Sequence, residues 1–586
     1  MKIMTKIRRK WLISLLFIIC HLSFSVALTS CNDKLDEQPD SRWIDIDNAK
    51  KVQQLLTSGY PNSVPAVICE LMGDNLVDNN VIVPATHNDA FSLFHEEAYK
   101  WEDVESYSTG DDDTPYTIWD NYYFGIATAN HAIDAMKEMS PDPAHDPELA
   151  HSWGEAHLMR AYFHFVLVNV FAEAYKDEQQ SSKDWGIPYV TSVENVVSID
   201  YSDTLYSKRV NEVYRLIEKD LLEGIDLIDD SKYKVPAYHF NRNAAYAFAA
   251  RFYLFKRDYA NCEKYADKAL GTDAPALRNW RNMSSNTIYT LLNAYNDEKA
   301  ACNYLIQTTY SLQDRMLSAC RYAINNGMKF TTCPEGVDSA TFATLPNVPN
   351  TKDVLYEGGG PNWNGRLPAF DGKIFRWSAG SEYGSWLFRV YEYFEYTNKI
   401  AGIGHVHIIY QPFTAEETLL CRAEAKLYQG KTQEAIRDLD YWTASKVYPN
   451  HTPLTQAGIN RKYSGTPATN DCADDIHPAE MSPQFKVMEG DELNILRCIL
   501  HFRRIETMFE GLRWFDIKRY GITVHHAYRG PQDYDITHDY LRWNDPRRVL
   551  KVPYNVKDAG YAPEKGNRAL QSGGGDNMKY FPYTTK

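Results

Sequence analysis

Residues 250–269 read Ala-Arg-Phe-Tyr-Leu-Phe-Lys-Arg-Asp-Tyr-Ala-Asn-Cys-Glu-Lys-Tyr-Ala-Asp-Lys-Ala, and residues 423–442 read Ala-Glu-Ala-Lys-Leu-Tyr-Gln-Gly-Lys-Thr-Gln-Glu-Ala-Ile-Arg-Asp-Leu-Asp-Tyr-Trp. The two superpose at a constant offset of 173 residues. Each is a helical run, a short turn (Arg257-Asp258 or Gly430-Lys431) and a second helical run. In the second run, Cys262, Ala266 and Ala269 recur at helical spacing in one copy, and Ala435, Leu439 and Trp442 in the other. That is the logic of tetratricopeptide-like helical pairs, whose apolar faces need stacked neighbours to be buried. The copies stand too far apart for a continuous solenoid, so helical pairs interrupted by long insertions are expected.

Outward from this repeat the helical period continues. Ile118 to Met139 reads as a helix with Trp119, Tyr122, Tyr123 and Ile126 inward. Pro147 suits the first turn of the next, where Leu158, Ala161, Phe165, Val168 and Ala172 recur beside apolar Tyr162, Phe163, Val166 and Leu167. A helix apolar on most sides belongs in a core. Val210, Val213, Ile217, Leu221, Ile225 and Ile228 form another stripe. Residues 331–412 and 446–490 differ: they are rich in Gly, Pro, Asn, Thr and aromatics, with turns at Gly358-Gly359-Gly360-Pro361 and Gly365. The expected fold is mostly α, helical pairs supporting a loop-rich ligand-binding half. Residues 46–330 hold the N-terminal helical part; 331–586 hold the insertions and a C-terminal helical region, intertwined with the first in one unit.

Long irregular segments on a helical scaffold are where binding concentrates. Aromatics make up 13% of the chain, with 41 Tyr and 13 Trp, more than a core of this size needs. Flat aromatic faces suit the apolar faces of sugar rings. Trp280, Trp363, Trp377, Tyr383 and Trp386, in or beside irregular segments, are the expected ligand-stacking surface.

Catalytic and metal-binding readings are weaker. Glu506 and Glu510, four apart in Arg-Arg-Ile-Glu-Thr-Met-Phe-Glu-Gly-Leu-Arg-Trp-Phe-Asp-Ile-Lys-Arg, have the composition of a glycosidase acid and nucleophile. The same spacing serves ion pairing, with Arg503, Arg504, Arg513, Asp516 and Arg519 as partners, and a packed charge network is the expectation. His405 with His407, and His525 with His526, lack a carboxylate or cysteine at metal-ligand spacing, so no metal is expected. Asp111-Asp112-Asp113 lacks the alternation of a calcium loop and reads as a solvated turn. With no Walker, GxGxxG or GxSxG motif, no cofactor and no catalytic nucleophile are expected. The cysteines contain no CxxC; Cys262, Cys421 and Cys498 fall in helical runs as buried thiols, while Cys320 and Cys333 are free to pair or not.

The N-terminus addresses location. Lys2, Lys6, Arg8, Arg9 and Lys10 precede an apolar run from Trp11 to Leu28, and Leu28-Thr29-Ser30-Cys31 sets small residues before a cysteine. Residues 1–30 are a secretory leader by this layout, an uncleaved anchor being the other reading. The ending resembles the bacterial lipobox, with Cys31 acylated, and 31–45 form an acidic tether. Removing the five cations of 1–30 from a formal charge of −15 leaves about −20, which opposes nucleic acid and anionic lipid and favours neutral ligands.

The stretch Arg503 to Tyr520 resembles the C-terminal signature of the SusD/RagB family of surface lipoproteins. Asp545-Pro546-Arg547-Arg548-Val549-Leu550-Lys551-Val552-Pro553 and Asn567-Arg568-Ala569-Leu570-Gln571-Ser572 are similar to its following segments. Gly154-Glu155-Ala156-His157-Leu158-Met159-Arg160-Ala161-Tyr162, Ala415 through Gly430 and the lipobox match upstream; Tyr554 and Gly573-Gly574-Gly575 depart. The resemblance implies a non-catalytic, surface-exposed outer-membrane lipoprotein that docks on a SusC-like TonB-dependent transporter. An oligosaccharide or polysaccharide is the expected ligand, with a peptide or another nutrient as the alternative and a surface glycosidase using Glu506 and Glu510 as a further one.

Overall fold

A computed structural model describes residues 46–78, 92–193, 208–271, 275–280, 288–318, 321–324, 354–355, 360–363, 388–447, 451–467, 469–529, 536–558 and 561. The leader, the tether, Cys31, Cys320 and Cys333 lie outside these residues. The chain divides after Asn48, and the main unit runs from Ala49 to Lys586. Among the described residues, its helices of seven residues or more are α1 (Ala49–Ser58), α2 (Ala66–Met72), α3 (Leu93–Tyr99), α4 (Pro115–Met139), α5 (Ala150–Phe171), α6 (Val210–Gly224), α7 (Arg242–Lys256), α8 (Tyr259–Leu270), α9 (Ile288–Tyr295), α10 (Ala415–Tyr428), α11 (Thr432–Lys446), α12 (Gln456–Tyr463), α13 (Gly490–Glu506) and α14 (Leu512–Tyr520). The architecture is mostly helical, as the periodicity predicts.

The 173-residue offset holds in the backbone. Asn241 and Thr414 are equivalent positions, and each caps its helix, Asn241 accepting from Ala244 N at 3.0 Å and Thr414 from Glu417 N at 3.3 Å. Arg257 and Gly430, also equivalent, both take left-handed backbone, with φ 65° and 76°. That conformation ends α7 and α10 abruptly, so α8 and α11 fold back on them. It costs a non-glycine residue about 1–2 kcal/mol. Arg257 offsets the cost by placing its guanidinium 3.3 Å from the centroid of the Phe485 ring and donating to the Arg519 carbonyl. α8 packs on α10, which stacks the two pairs.

In α5 every residue from His151 to Phe171 is buried. The helix starts at Ala150, and Pro147 occupies the turn before it instead of its first turn. Its polar groups are paired inside: Glu155 accepts from Tyr60 Oη (2.8 Å) and bonds His239 Nδ1 (2.9 Å), while Arg160 grips Asp220 at 2.6 and 2.7 Å. Gly154 permits the crossing with α6, because a Cβ there would lie 2.8 Å from the Gly224 carbonyl oxygen. Gly154→Val is therefore expected to cost about 3 kcal/mol by overpacking. The reading is a lower urea midpoint at unchanged slope; an unmoved midpoint would refute the close crossing.

A buried charge network ties the C-terminal helices to the repeat. Arg503, with no exposed surface, bonds Asp516 Oδ2 (3.0 Å) and Glu417 Oε1 (3.3 Å). Arg519 bonds Asp516 Oδ1 (2.7 Å) and Glu424 Oε2 (2.6 Å), and Arg251 reaches Glu417 Oε2 (3.2 Å). Glu417 and Glu424 lie two turns apart on α10, so one helix face binds arginines from α7, α13 and α14. Arg513 joins Asp74 and Asp474, each at 2.7 Å, pinning α14 to the region after α2. Cys262, Cys421 and Cys498 are buried free thiols, as expected.

Strands break the helical pattern inside the segment expected to be loops. β1 (Val77–Asp78) pairs antiparallel with β3 (Tyr322–Ala323), and β2 (Asn303–Thr309), β4 (Tyr393–Asn398) and β5 (Ile403–Thr414) form a sheet in the order β2-β5-β4. β6 (Val524–Arg529) and β7 (Ile536–Leu541) form a hairpin. β5 runs straight into α10, its last residue Thr414 being that helix's cap, so the sheet is anchored to the repeat.

Candidate functional site

Tyr391-Glu392-Tyr393-Phe394-Glu395-Tyr396 is rich in aromatic side chains, which favour a strand. At Asn398-Lys399-Ile400-Ala401-Gly402 the chain reverses. Asn398 Oδ1 accepts from Ile400 N (3.1 Å) and Ala401 N (3.0 Å), and Gly402 supplies φ 67°. The register Tyr393↔His407, Phe394↔Val406, Glu395↔His405, Tyr396↔Gly404 sorts the side chains into two faces. On one, Phe394 and Tyr396 meet edge to face with centroids 4.8 Å apart, and both are about half exposed (48% and 51%). Gly404 leaves room for them, since a Cβ there would press on the Phe394 ring. On the other, Tyr393 stacks on His407 (5.6 Å) and meets Tyr391 (5.0 Å).

The second face continues across the sheet. Tyr310, exposed at the end of β2, lies 5.5 Å from His405. Asp112 lies within electrostatic reach of His405, and burial beside Asp111 raises its carboxyl above the usual range. The Asp111–Asp113 turn is thus not uniformly solvated: Asp113 is buried at φ 60° and accepts from Leu312 N at 2.8 Å. Burial pushes its carboxyl up to about 7. The hairpin and its neighbours therefore present exposed aromatic rings edged by carboxylates and imidazoles, a surface able to stack on flat apolar faces and bond hydroxyls.

The sequence candidates are placed differently. Trp280 is only 1% exposed and faces the ammonium of Lys446, 4.4 Å from its ring centroid. A fully buried lysine needs its charge answered, and an indole face answers it. Trp363 is also buried, with its ring 6.0 Å from Phe502 and against Gly360, where any side chain would overlap it. Both belong to the core and not to an exposed platform; an irregular neighbourhood did not mean exposure. Trp377, Tyr383 and Trp386 lie outside the described residues. Phe394, Tyr396 and Tyr310 were missed, although an aromatic-rich run from Tyr391 to Tyr396 before a turn bearing Asn398 and Gly402 is a hairpin signal.

Glu506 and Glu510 are packed ion partners, but with other residues than their sequence neighbours. Glu506 accepts from Trp442 Nε1 (2.7 Å) and pairs with Lys446 (3.0 Å), while Glu510 pairs with Arg389. Burial raises the Glu510 carboxyl despite that arginine. Each carboxylate is held against a cation from another element, and Glu506 is nearly solvent-free. His526 is buried with its ring nitrogens against the Tyr99 and Gly73 carbonyls, and His525 stacks on Tyr540. Among the described residues no group of three or more His, Cys, Asp or Glu side chains is placed to hold a metal. None of the described helices is long and apolar enough to cross a membrane.

Stacked helical pairs carrying a small antiparallel sheet define the fold class, and known proteins share it. Residues 33–254 match a SusD-like family model described as "Starch-binding associating with outer membrane". SusD-like protein P38 of Formosa agariphila is 21% identical over 482 residues, covering 76% of this chain and 81% of that protein. A SusD superfamily protein from Bacteroides thetaiotaomicron shares the fold at TM-score 0.53 and 14% identity, over 88% of this chain and 98% of its own. A SusD-like carbohydrate binding protein from Bacteroides vulgatus does so at TM-score 0.50 and 14% identity, over 88% and 97%. Over residues 33–254 the chain is similar to the SusD-like family, and over most of its length it shares the fold of SusD superfamily structures.

Proposed function

We propose that this protein is a non-catalytic glycan binder, tethered through lipid on Cys31 at the outer face of an outer membrane, that hands oligosaccharide to a TonB-dependent transporter. The observation that carries the reading is the exposed Phe394–Tyr396 pair on a hairpin anchored to the helical repeat. A starch-binding description of the family and a carbohydrate-binding structural relative supply the ligand class. The negative formal charge fits a neutral polysaccharide.

Electrophoresis in native gels containing starch and other neutral polysaccharides tests it. Retardation without release of reducing ends is expected. Phe394→Ala with Tyr396→Ala should weaken it about fivefold or more, because each stacked ring contributes about 0.5–1.5 kcal/mol. Both rings are half exposed, so the fold should survive. Retardation untouched by the double variant would sink this site, and reducing-end release lost in Glu506→Gln would sink the non-catalytic reading. Labelling by a radioactive fatty acid should vanish in Cys31→Ala.

A further inference from the structure

A separate cleft of about 410 Å³ opens on α4, between that helix, residues 188–193, Asn555, Val556 and Tyr561. Asp120, Tyr123, Ala127 and His131 follow one another at three- and four-residue steps and share one helix face. Ala127, exposed and small, leaves the hollow between Tyr123 and His131. Trp119 and Tyr561 form the aromatic floor, with centroids 6.1 Å apart. The volume lies within the range of small-molecule pockets, about 300–1,000 Å³.

The walls are braced from behind. Tyr123 Oη donates to the Pro188 carbonyl (2.8 Å), Asn130 Nδ2 to the Val190 carbonyl (3.2 Å) and Tyr561 Oη to the Gly186 carbonyl (2.7 Å). Val190 N donates to His164 Nε2 at 3.1 Å. These bonds fix the facing backbone before any ligand arrives, which lowers the entropic cost of binding. At the rim the opposite holds: among the described residues, the side chains of Asp120, His131 and Asn555 make no hydrogen bond.

We propose that this cleft is a second binding site, distinct from the hairpin, that takes a single neutral sugar ring. The aromatic and aliphatic floor receives the ring's apolar face, and Asp120, His131 and Asn555 bond its hydroxyls. The inference takes its ligand class from the carbohydrate reading above but not its location. Isothermal titration of the mature chain with glucose, galactose, mannose and xylose tests it. Saturable millimolar binding of at least one is expected, weakened at least tenfold in Ala127→Trp, which fills the hollow from an exposed helical position, and in Asp120→Asn. The Phe394→Ala, Tyr396→Ala variant should leave it unchanged. Absence of saturable binding by all four sugars overturns the proposal, as does binding indifferent to Ala127→Trp. If polysaccharide retardation persists in that event, only the cleft is lost; if it too is absent, the carbohydrate reading falls with it.

Discussion

Arg503→Met should lower the unfolding free energy by about 3–5 kcal/mol, the cost of breaking a buried ion pair from one side. Arg503 has no exposed surface and stands between Asp516 and Glu417, neither of which has access to water that could replace it. Methionine keeps most of the volume but leaves Asp516 to Arg519 alone and Glu417 to Arg251 alone. Lys137→Met, which removes an exposed pair with Asp134, provides the contrast and should cost less than about 0.5 kcal/mol. The measurement is the urea midpoint at constant slope for both variants. A loss below about 1 kcal/mol for Arg503→Met would show that the network contributes register but little stability. Because Glu417 and Glu424 sit on the repeat helix α10, a full loss would also show that the C-terminal signature works as a clamp on that scaffold.

The helical scaffold was legible because its signals are local. A cap, a left-handed turn residue and a helical stripe are written within 30 residues of one another, and the offset relating Asn241 to Thr414 and Arg257 to Gly430 survives in the backbone. The site was less legible because exposure is a property of tertiary packing. Trp280 reads as a loop aromatic, yet it covers Lys446, a residue 166 positions on. Glu506 reads as a partner for neighbouring arginines, but α13 is buried nearly all round from Asn494 onward, so its carboxylate meets α11 instead. The β4–β5 hairpin was readable from its aromatic-rich run and the Asn398 and Gly402 turn; the surrounding Gly and Pro drew attention to loops instead.

Stability against acid should fall by about 3 kcal/mol from pH 7 to about pH 5 and collapse below about pH 4.5, because two sets of buried groups oppose each other and the histidines outweigh the acids. His95, His164, His501 and His525 are held neutral, each pushed down to about 3 by burial. The bonding agrees: His164 Nε2 accepts from Val190 N while Nδ1 serves the Arg160 carbonyl, and His501 Nε2 meets the Val354 carbonyl while Nδ1 meets Tyr463 Oη. The unfolded chain takes up protons near pH 6.5 that these rings refuse, so the stability they contribute is lost as pH falls, up to about 2 kcal/mol each by pH 5. Glu70 and Asp113 act with the other sign. Burial raises both to about 7, so the native state takes up protons first and gains about 2 kcal/mol from each between pH 7 and pH 5. The gain ends once the unfolded carboxyls also protonate, near pH 4.5, whereas the histidine loss continues towards pH 3. Protonation of the paired Asp516 and Glu417, whose values are lowered by their arginines, then adds to the loss. Glu70→Gln removes one compensating acid and should steepen the decline between pH 7 and pH 5 by about 2 kcal/mol in chemical unfolding. A wild type whose stability is level or rising between pH 7 and pH 5, or a Glu70→Gln profile parallel to it, would refute the balance.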